Sequence, residues 1–287
     1  MKTIKEQRFT LSDFNKKYPN DDACLQDIFS RKFALQAKCS KCNKPFKYYR
    51  VSKRKCYACQ YCGNQIYPLA NTIFEKSNTS LRSWFYAIFL FSVSKNGGSA
   101  KELQRQLGVT YKCAWRIANK VRVLFDDKPQ SMANVVEVDE TYVGGKHQGK
   151  RGRGSENKTP IIGIAERKGA VLAKVVGDTK RSTVMPIIKN HVRVNAEIMT
   201  DEYTTYQTLS SIGYKHQAVR HSIGQYVNGL VHTNTIEGFW SQLKRSIDGT
   251  YHCVSPKYLQ NYVNEFSYRY NQRNVLSPIF SLLLKRV

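Results

Sequence analysis

The sequence predicts an α/β fold, a mixed sheet with helices packed against it, preceded by a small four-cysteine module and a helix-turn-helix. Three features predict it. Short β-branched runs alternate with helical periods from about residue 129, two C-x2-C pairs lie between residues 39 and 62, and a helical period breaks at Gly108 and restarts after Thr110. The expected boundaries are 1–35 for an N-terminal helical segment, 36–70 for the cysteine module, 71–128 for the helix-turn-helix and 129–287 for the α/β domain.

Composition bounds the partner. With 287 residues, 41% of them hydrophobic, the chain can bury at least one full core. It carries 46 Lys and Arg against 21 Asp and Glu, a net charge of +25 spread along its whole length. That spread excludes a single basic tail on an ordinary enzyme and favours a polyanionic partner bound in a salt-sensitive way. A basic protein without folded modules is argued against by 12% aromatics and long periodic segments. No run of 18 apolar residues exists, "MKTIKEQRFTLSDFNKKY" lacks the apolar stretch of a signal peptide, and "WFYAIFLFSV" is only long enough for a buried helix. The expectation is a cytoplasmic, nucleoid-associated protein with no membrane partner and reduced cysteines.

Cys39-x2-Cys42 and Cys59-x2-Cys62, with sixteen residues between the pairs, have the spacing of a zinc ribbon. In such a ribbon each C-x2-C turn gives two thiolates to a tetrahedral, structural Zn²⁺. Gly63, directly after Cys62, suits the tight knuckle turn. Cys56 creates a second register, Cys56-x2-Cys59, with no glycine after its second thiol, so the first is preferred. Cys24, Cys113 and Cys253 are isolated and read as small core residues.

In "SAKELQRQLGVTYKCAWRIANKVRVLF", Ala100, Leu103 and Leu107 share one helical face and Gly108–Val109 breaks the helix. Thr110 can N-cap a second helix with Ala114, Ile117, Ala118 and Val121 inward. An ordinary helical hairpin has the same pattern. Beside the cysteine module and the charge, the pattern reads as DNA-binding, with Tyr111, Lys112, Arg116 and Asn119 as contact candidates and Trp115 either contact or core.

Beyond Asp127, "NVVEVDETYVGG", "TPIIGIAERKG" and "AVLAKVVGDTK" read as strands. "STVMPIIKNHV" follows as a helix that must accommodate Pro186. Then come "AEIMTDEYTTY" as a strand ending at Asp201, "YTTYQTLSSIG" as a short helix, "YKHQAVRH" as a strand, and a helix capped by Thr233 or Asn234. This order is ribonuclease-H-like. Asp139 and Asp201 end or interrupt separate strands and Glu237 lies on the later helix, the carboxylate set that two-metal phosphoryl transfer needs. Glu140 and Glu202 point to the opposite strand face and read as supporting groups. Glu137, on the face of Asp139, reads as a supporting acid or a lysine's partner. Asp178 reads as a turn residue and Glu265 as the i,i+4 partner of Arg269.

The motifs "VEVDETYVGGK", "TDEYTTY", "HTNTIEGFWSQLKR" and "EFSYRYNQR", with the ribbon and "GGSAKELQRQLGVTYKCAWR" upstream, resemble the Merlin-like DDE transposases of bacterial insertion sequences. The likeness covers nearly the whole chain. It implies a ribonuclease-H-like catalytic domain, two Mg²⁺ (or Mn²⁺) ions, cleavage and joining of element ends, and a dimer or larger homo-oligomer on DNA. By position, Asp139 and Asp201 match the family's first two acids. The third ligand is Glu237 or Asn234, with Glu237 favoured because an anionic oxygen binds Mg²⁺ more strongly than an amide. Lys244 matches the family's trailing lysine, placed to hold a phosphate, and His232 is a near-site donor or a cap. The Gly-rich loop 144–158 carries Lys146, Lys150, Arg151 and Arg153 beside the acids and is expected to track the scissile strand. The function expected is a DNA transposase that binds terminal inverted repeats, cleaves each end and joins it to target DNA. A DNA-binding regulator and a nuclease that cuts without joining are the other classes open.

Overall fold

The computed structural model describes residues 9–127, 129, 131–144, 158–224 and 227–287. The chain forms two compact units, one of residues up to Leu124 together with Val275–Val287, the other of Phe125–Asn274.

The first unit opens with α1 (Leu11–Lys17) and α2 (Asp21–Lys32). Thr10 and Asp13 cap each other's backbone amides at the start of α1, and Asn20 accepts from Ala23 N at the start of α2. A small antiparallel sheet follows, β1 (Tyr48–Arg50), β2 (Tyr57–Cys59) and β3 (Gln65–Ile66). The apolar stretch becomes α3 (Leu81–Val93), which buries Trp84, Phe85, Ile88 and Phe91. The predicted break gives α4 (Ala100–Leu107) and α5 (Tyr111–Val123). Gly108 ends α4 at φ 64, a left-handed conformation that glycine adopts without a Cβ clash, and Thr110 accepts from Cys113 N to start α5. The "IFSLLL" segment near the end of the chain is a further short helix in this unit, and its Phe280 stacks among Phe9, Phe14 and Tyr18.

In the second unit, β4 (Val135–Gly144), β5 (Lys158–Glu166) and β6 (Val171–Val175) form an antiparallel meander. α6 (Arg181–His191) follows, with Asp178 accepting from Lys180 N and Thr183 Oγ1 at its start. Pro186 sits inside α6, where its missing N–H leaves one helical carbonyl without its usual donor. β7 (Glu197–Thr200) and β8 (Lys215–Ala218) then add in parallel to give the order β6-β5-β4-β7-β8, the ribonuclease-H-like arrangement. The short helix expected between these strands is instead two 3₁₀ turns, Thr204–Tyr206 and Ser210–Ile212. Thr-Thr and Ser-Ser pairs favour local side-chain bonds over a continued α-helix, and Gly213 closes the second turn at φ 96. α7 (Asn234–Ser246), running on into a π-helical turn, and α8 (Pro256–Asn271) complete the unit, and the helix noted above is α9 (Ile279–Leu284).

Alternation along β4 sorts its side chains into two cores. Val136 and Val138 face α6 with Ile162, Ile164 and Ile198, while Val143 faces α7 and α8 with Ile161, Ala165, Phe239, Trp240 and Phe266. The β6 edge is closed by amide side chains from α8. Gln260 accepts from Val175 N and donates to Ala173 O, and Asn271 does the same at the N–H and carbonyl of Val171. A sheet edge that would otherwise invite another strand is thereby satisfied within the unit. Among the described residues, no helix is long and apolar enough to cross a membrane.

Candidate functional site

Two chemical centres stand out, one in each unit. In the first, the four cysteines of the preferred register converge, all four Sγ atoms lying within 4.8 Å of one another. The Cys39–Cys62 and Cys42–Cys59 Sγ separations are both 3.8 Å. A tetrahedron with metal–sulfur bonds of about 2.3 Å has edges of about 3.8 Å, which these two separations match. The two knuckles match each other. Cys39 N donates to Lys44 O and Cys59 N to Asn64 O, and the residue after each second cysteine turns left-handed, Asn43 at φ 58 and Gly63 at φ 68. Asn tolerates that conformation better than most residues with a Cβ, which is why the first knuckle works without a glycine. The Tyr48 hydroxyl donates to Cys39 Sγ at 3.1 Å and, with the amides of Cys42 and Lys41, pulls that thiol down to about 6, toward the thiolate that a metal needs. Cys56 is buried outside the cluster with its thiol toward Gln65.

On α5, Tyr111 and Lys112 are exposed, with Lys101 Nζ over the Tyr111 ring at 4.7 Å. Arg116 is engaged within the unit instead, donating to Ser77 Oγ and Thr79 Oγ1 beside the Trp84 ring. The Asn119 amide is buried, with no hydrogen-bond partner among the described residues. Trp115 is half-buried.

The second centre lies on the α7 face of the large sheet. β4 and β7 pair in parallel with Glu137 opposite Met199; Asp139 follows two residues along β4 and Asp201 comes directly after the end of β7, near enough for its charge to act on Asp139. Asp201 Oδ1 accepts from Tyr203 N at 3.0 Å. Asp139 Oδ2 accepts from the indole of Trp240 on α7 at 3.1 Å. Burial raises the Asp139 carboxyl to about 7, and the negative charges of Glu140 and Asp201 push in the same direction. On the other sheet face, the Tyr206 hydroxyl donates to Glu140 Oε2 at 2.8 Å, and burial holds that phenol well above its ordinary value. Glu202 accepts from Ser222 through both its amide and its hydroxyl.

Glu237 lies exposed in the first turn of α7, its Oε1 accepting from the Thr233 hydroxyl at 2.6 Å. Asn234, also exposed, opens that helix and donates its backbone N–H to His232 Nδ1 at 3.3 Å. Lys244 is exposed further along the same helix. Among the described residues the cysteines are the one set of three or more metal-ligating side chains gathered as closely as a single ion requires; Asp139, Asp201 and Glu237 are not that tightly drawn together. Lys146, Lys150, Arg151 and Arg153 lie outside the described residues.

Three partners of this centre escaped the sequence reading. Trp240, on the helix that follows Thr233, donates to Asp139. Gly163 pairs with Asp139 across β4 and β5, and a Cβ there would collide with the Trp240 ring and with Ile236 Cδ1. Arg167 ion-pairs with Glu137, which the sequence left open as a lysine's partner.

Residues 131–271 match the family described as an ISXO2-like transposase domain. The chain is 27% identical over 241 residues to a Halobacterium salinarum protein described as an uncharacterized protein in transposable element ISH50, covering 77% of this chain and 79% of that one. It is 25% identical over 112 residues to an uncharacterized transposase-like protein of Haemophilus influenzae, covering 39% of this chain and 89% of the relative. A chain in the structure of a simian T-cell lymphotropic virus intasome with PP2A regulatory subunit B56 gamma aligns at a TM-score of 0.32 and 14% identity, over 63% of this chain and 67% of that one. The motifs that resembled insertion-sequence transposases are borne out: residues 131–271 match the ISXO2-like transposase domain family, and both relatives are described as belonging to a transposable element or as transposase-like.

Proposed function

We propose that this transposase cuts and joins DNA at the Asp139–Asp201 centre, acting on the terminal inverted repeats of its element and then on target DNA. The observation that carries the reading is that Asp139 on β4 and Asp201 just past the parallel strand β7 are near enough to interact through their charges, with Trp240 of α7 bonded to Asp139 and Glu237 and Asn234 in the first turn of that helix. The donor set fits a hard divalent cation. It offers carboxylate oxygens, and the negative neighbours and burial that raise the Asp139 carboxyl to about 7 are a strain that a cation would relieve. Held by Asp139, Asp201 and Glu237 (or Asn234), two Mg²⁺ or Mn²⁺ ions would supply activation of the attacking oxygen and charge neutralisation at the phosphate.

The remaining work falls to the chain itself. Trp240 orients the Asp139 carboxylate through its indole N–H. Lys244, exposed beyond Glu237, holds a DNA phosphate, and Lys146, Lys150, Arg151 and Arg153 follow the strand being cut. In the N-terminal unit, Cys39, Cys42, Cys59 and Cys62 hold a structural Zn²⁺. Tyr111 and Lys112 meet DNA from the exposed start of α5, with Arg116 supporting that helix from within. The net charge of +25 supplies a salt-sensitive attraction to the duplex. The active form is a dimer or larger homo-oligomer on DNA.

The test is a reaction of labelled element ends with plasmid and Mg²⁺, comparing wild type with Asp139→Ala and Asp201→Ala. Both variants are expected to bind ends and to yield neither nicked nor joined products. Undiminished product from either variant removes the site, and nicked ends without joined products from the wild type make the protein a nuclease.

A further inference from the structure

Glu137 lies two residues before Asp139 on β4, and the reading above gives it no task. Its side chain is fully buried. It accepts from the backbone N–H of Thr235 at 2.7 Å, from that of Ile236 at 3.0 Å and from the Thr235 hydroxyl at 2.9 Å. Arg167 Nε donates to it at 2.7 Å, and His232 Nδ1 stands 3.2 Å away. These amides belong to the first turn of α7, the turn that carries Asn234 and Glu237. The local N-cap, Thr233, makes no side-chain cap bond of its own, because its hydroxyl goes to Glu237. The first turn is therefore fastened not by its neighbour in sequence but by a carboxylate 98 residues earlier. Arg167 extends the fastening, donating also to the carbonyls of Leu230 and His232 at 2.8 and 2.9 Å, on the chain leading into the helix.

An ordinary cap needs one short polar side chain next to the helix. Burying a carboxylate and a guanidinium to do the same work is a poor way to gain stability, since desolvation offsets most of the attraction. What this arrangement does that a local cap does not is lock the start of α7 to the strand of Asp139. We propose that Glu137 and Arg167 are positioning residues that set where Glu237 and Asn234 stand relative to Asp139, and so how readily the centre takes up its divalent cation. The inference rests on the reading of that centre as the metal-holding site.

The indole N–H of Trp240 gives a readout that needs no catalysis. The chain has three tryptophans, Trp84, Trp115 and Trp240, so a ¹⁵N-labelled full-length sample gives three indole resonances, and that of Trp240 comes from the indole bonded to Asp139. In metal-free Glu137→Gln, well below its melting temperature, the Trp240 resonance is expected to shift or broaden while the other two stay in place. In a Mn²⁺ titration, the concentration that bleaches the Trp240 resonance is expected to rise about tenfold over wild type. A Trp240 resonance at its wild-type position, or an unchanged Mn²⁺ midpoint, overturns the proposal. A wild-type Trp240 resonance indifferent to Mn²⁺ sinks the metal reading instead, and the metal-free spectra still decide whether Glu137 places the helix. If Glu137→Gln does not fold, Arg167→Lys decides: it keeps the positive charge but loses the fork to Leu230 and His232, and it must displace the Trp240 resonance in the same way or the proposal fails.

Discussion

Trp240 Nε1 reaches Asp139 Oδ2, at 3.1 Å, through space that Gly163 leaves open on the neighbouring strand. A Cβ at Gly163 would collide with the Trp240 ring and lie 2.6 Å from Ile236 Cδ1. Gly163→Ala is therefore expected to destabilise the second unit by about 1–3 kcal/mol, the usual cost of overpacking, and to push the indole away from Asp139. Because the clash and the hydrogen bond share one ring, Gly163→Ala combined with Trp240→Phe should cost less than the sum of the two single changes. Thermal melts of the four proteins in the cycle check this, and strict additivity would mean that the ring does not fill that space.

The Asp139 carboxyl also sets a pH dependence. In chelator, burial first, then Glu140 and Asp201, raise it from an ordinary 3.8 to about 7. The folded value is the higher one, so as pH rises the unfolded chain gives up this proton first, and the group's contribution to stability is lost between about pH 4 and pH 7. Asparagine at this position is neutral throughout. Asp139→Asn is thus expected to leave the metal-free melting temperature nearly unchanged at pH 4 and to raise it at pH 8. An equal shift at both pH values would show that the substitution acts through packing alone.

How much of this was legible in the chain depended on the range of the interaction. The cysteine register followed from spacing and from Gly63, and the structure repeats the same turn with Asn43, a residue that shares glycine's tolerance for positive φ. The strand faces followed from alternation along "VVEVDETYVG", which separates Val136 and Val138 from Glu137 and Asp139. The partners of those acids did not follow, because they are set by register between distant segments. Nothing within "IEGFW" says that Trp240 meets Asp139, and nothing near Thr233 says that its capping role passes to Glu137. Arg116 reads as a basic residue on the exposed side of a helix until Ser77 and Thr79 are folded against it. α9 was missed because its apolar run is too short to have a period.

The cysteine cluster makes a prediction about metal content and folding. The ribbon strands β1 to β3 are only two or three residues long, too short to hold together without their ligands. Protein prepared without chelator should contain one zinc per chain, and Cys59→Ser should lose it. Treatment with a strong chelator is expected to lower the melting temperature of wild type but not of Cys59→Ser. A wild-type melt indifferent to chelator, with no zinc by elemental analysis, would leave the thiols as a packing cluster.

The last prediction separates two basic residues on α5 that the sequence grouped together. Lys112 is exposed, whereas the Arg116 guanidinium donates to Ser77 Oγ at 3.3 Å and to Thr79 Oγ1 at 3.2 Å. An exposed lysine that neutralises a phosphate contributes through counterion release, and its loss flattens the dependence of log K on log salt by about 0.9. Lys112→Ala should flatten the salt dependence of end binding by that amount and leave the melting temperature unchanged. Arg116→Ala removes internal hydrogen bonds instead, so it should cost about 1–2 kcal/mol of stability and leave the salt slope at its wild-type value once the protein is folded. Titrations of labelled element ends at several salt concentrations, beside thermal melts, distinguish the two. If Arg116→Ala flattens the slope as much as Lys112→Ala does, its guanidinium leaves Ser77 and Thr79 for the DNA, and the division of labour along this helix is wrong.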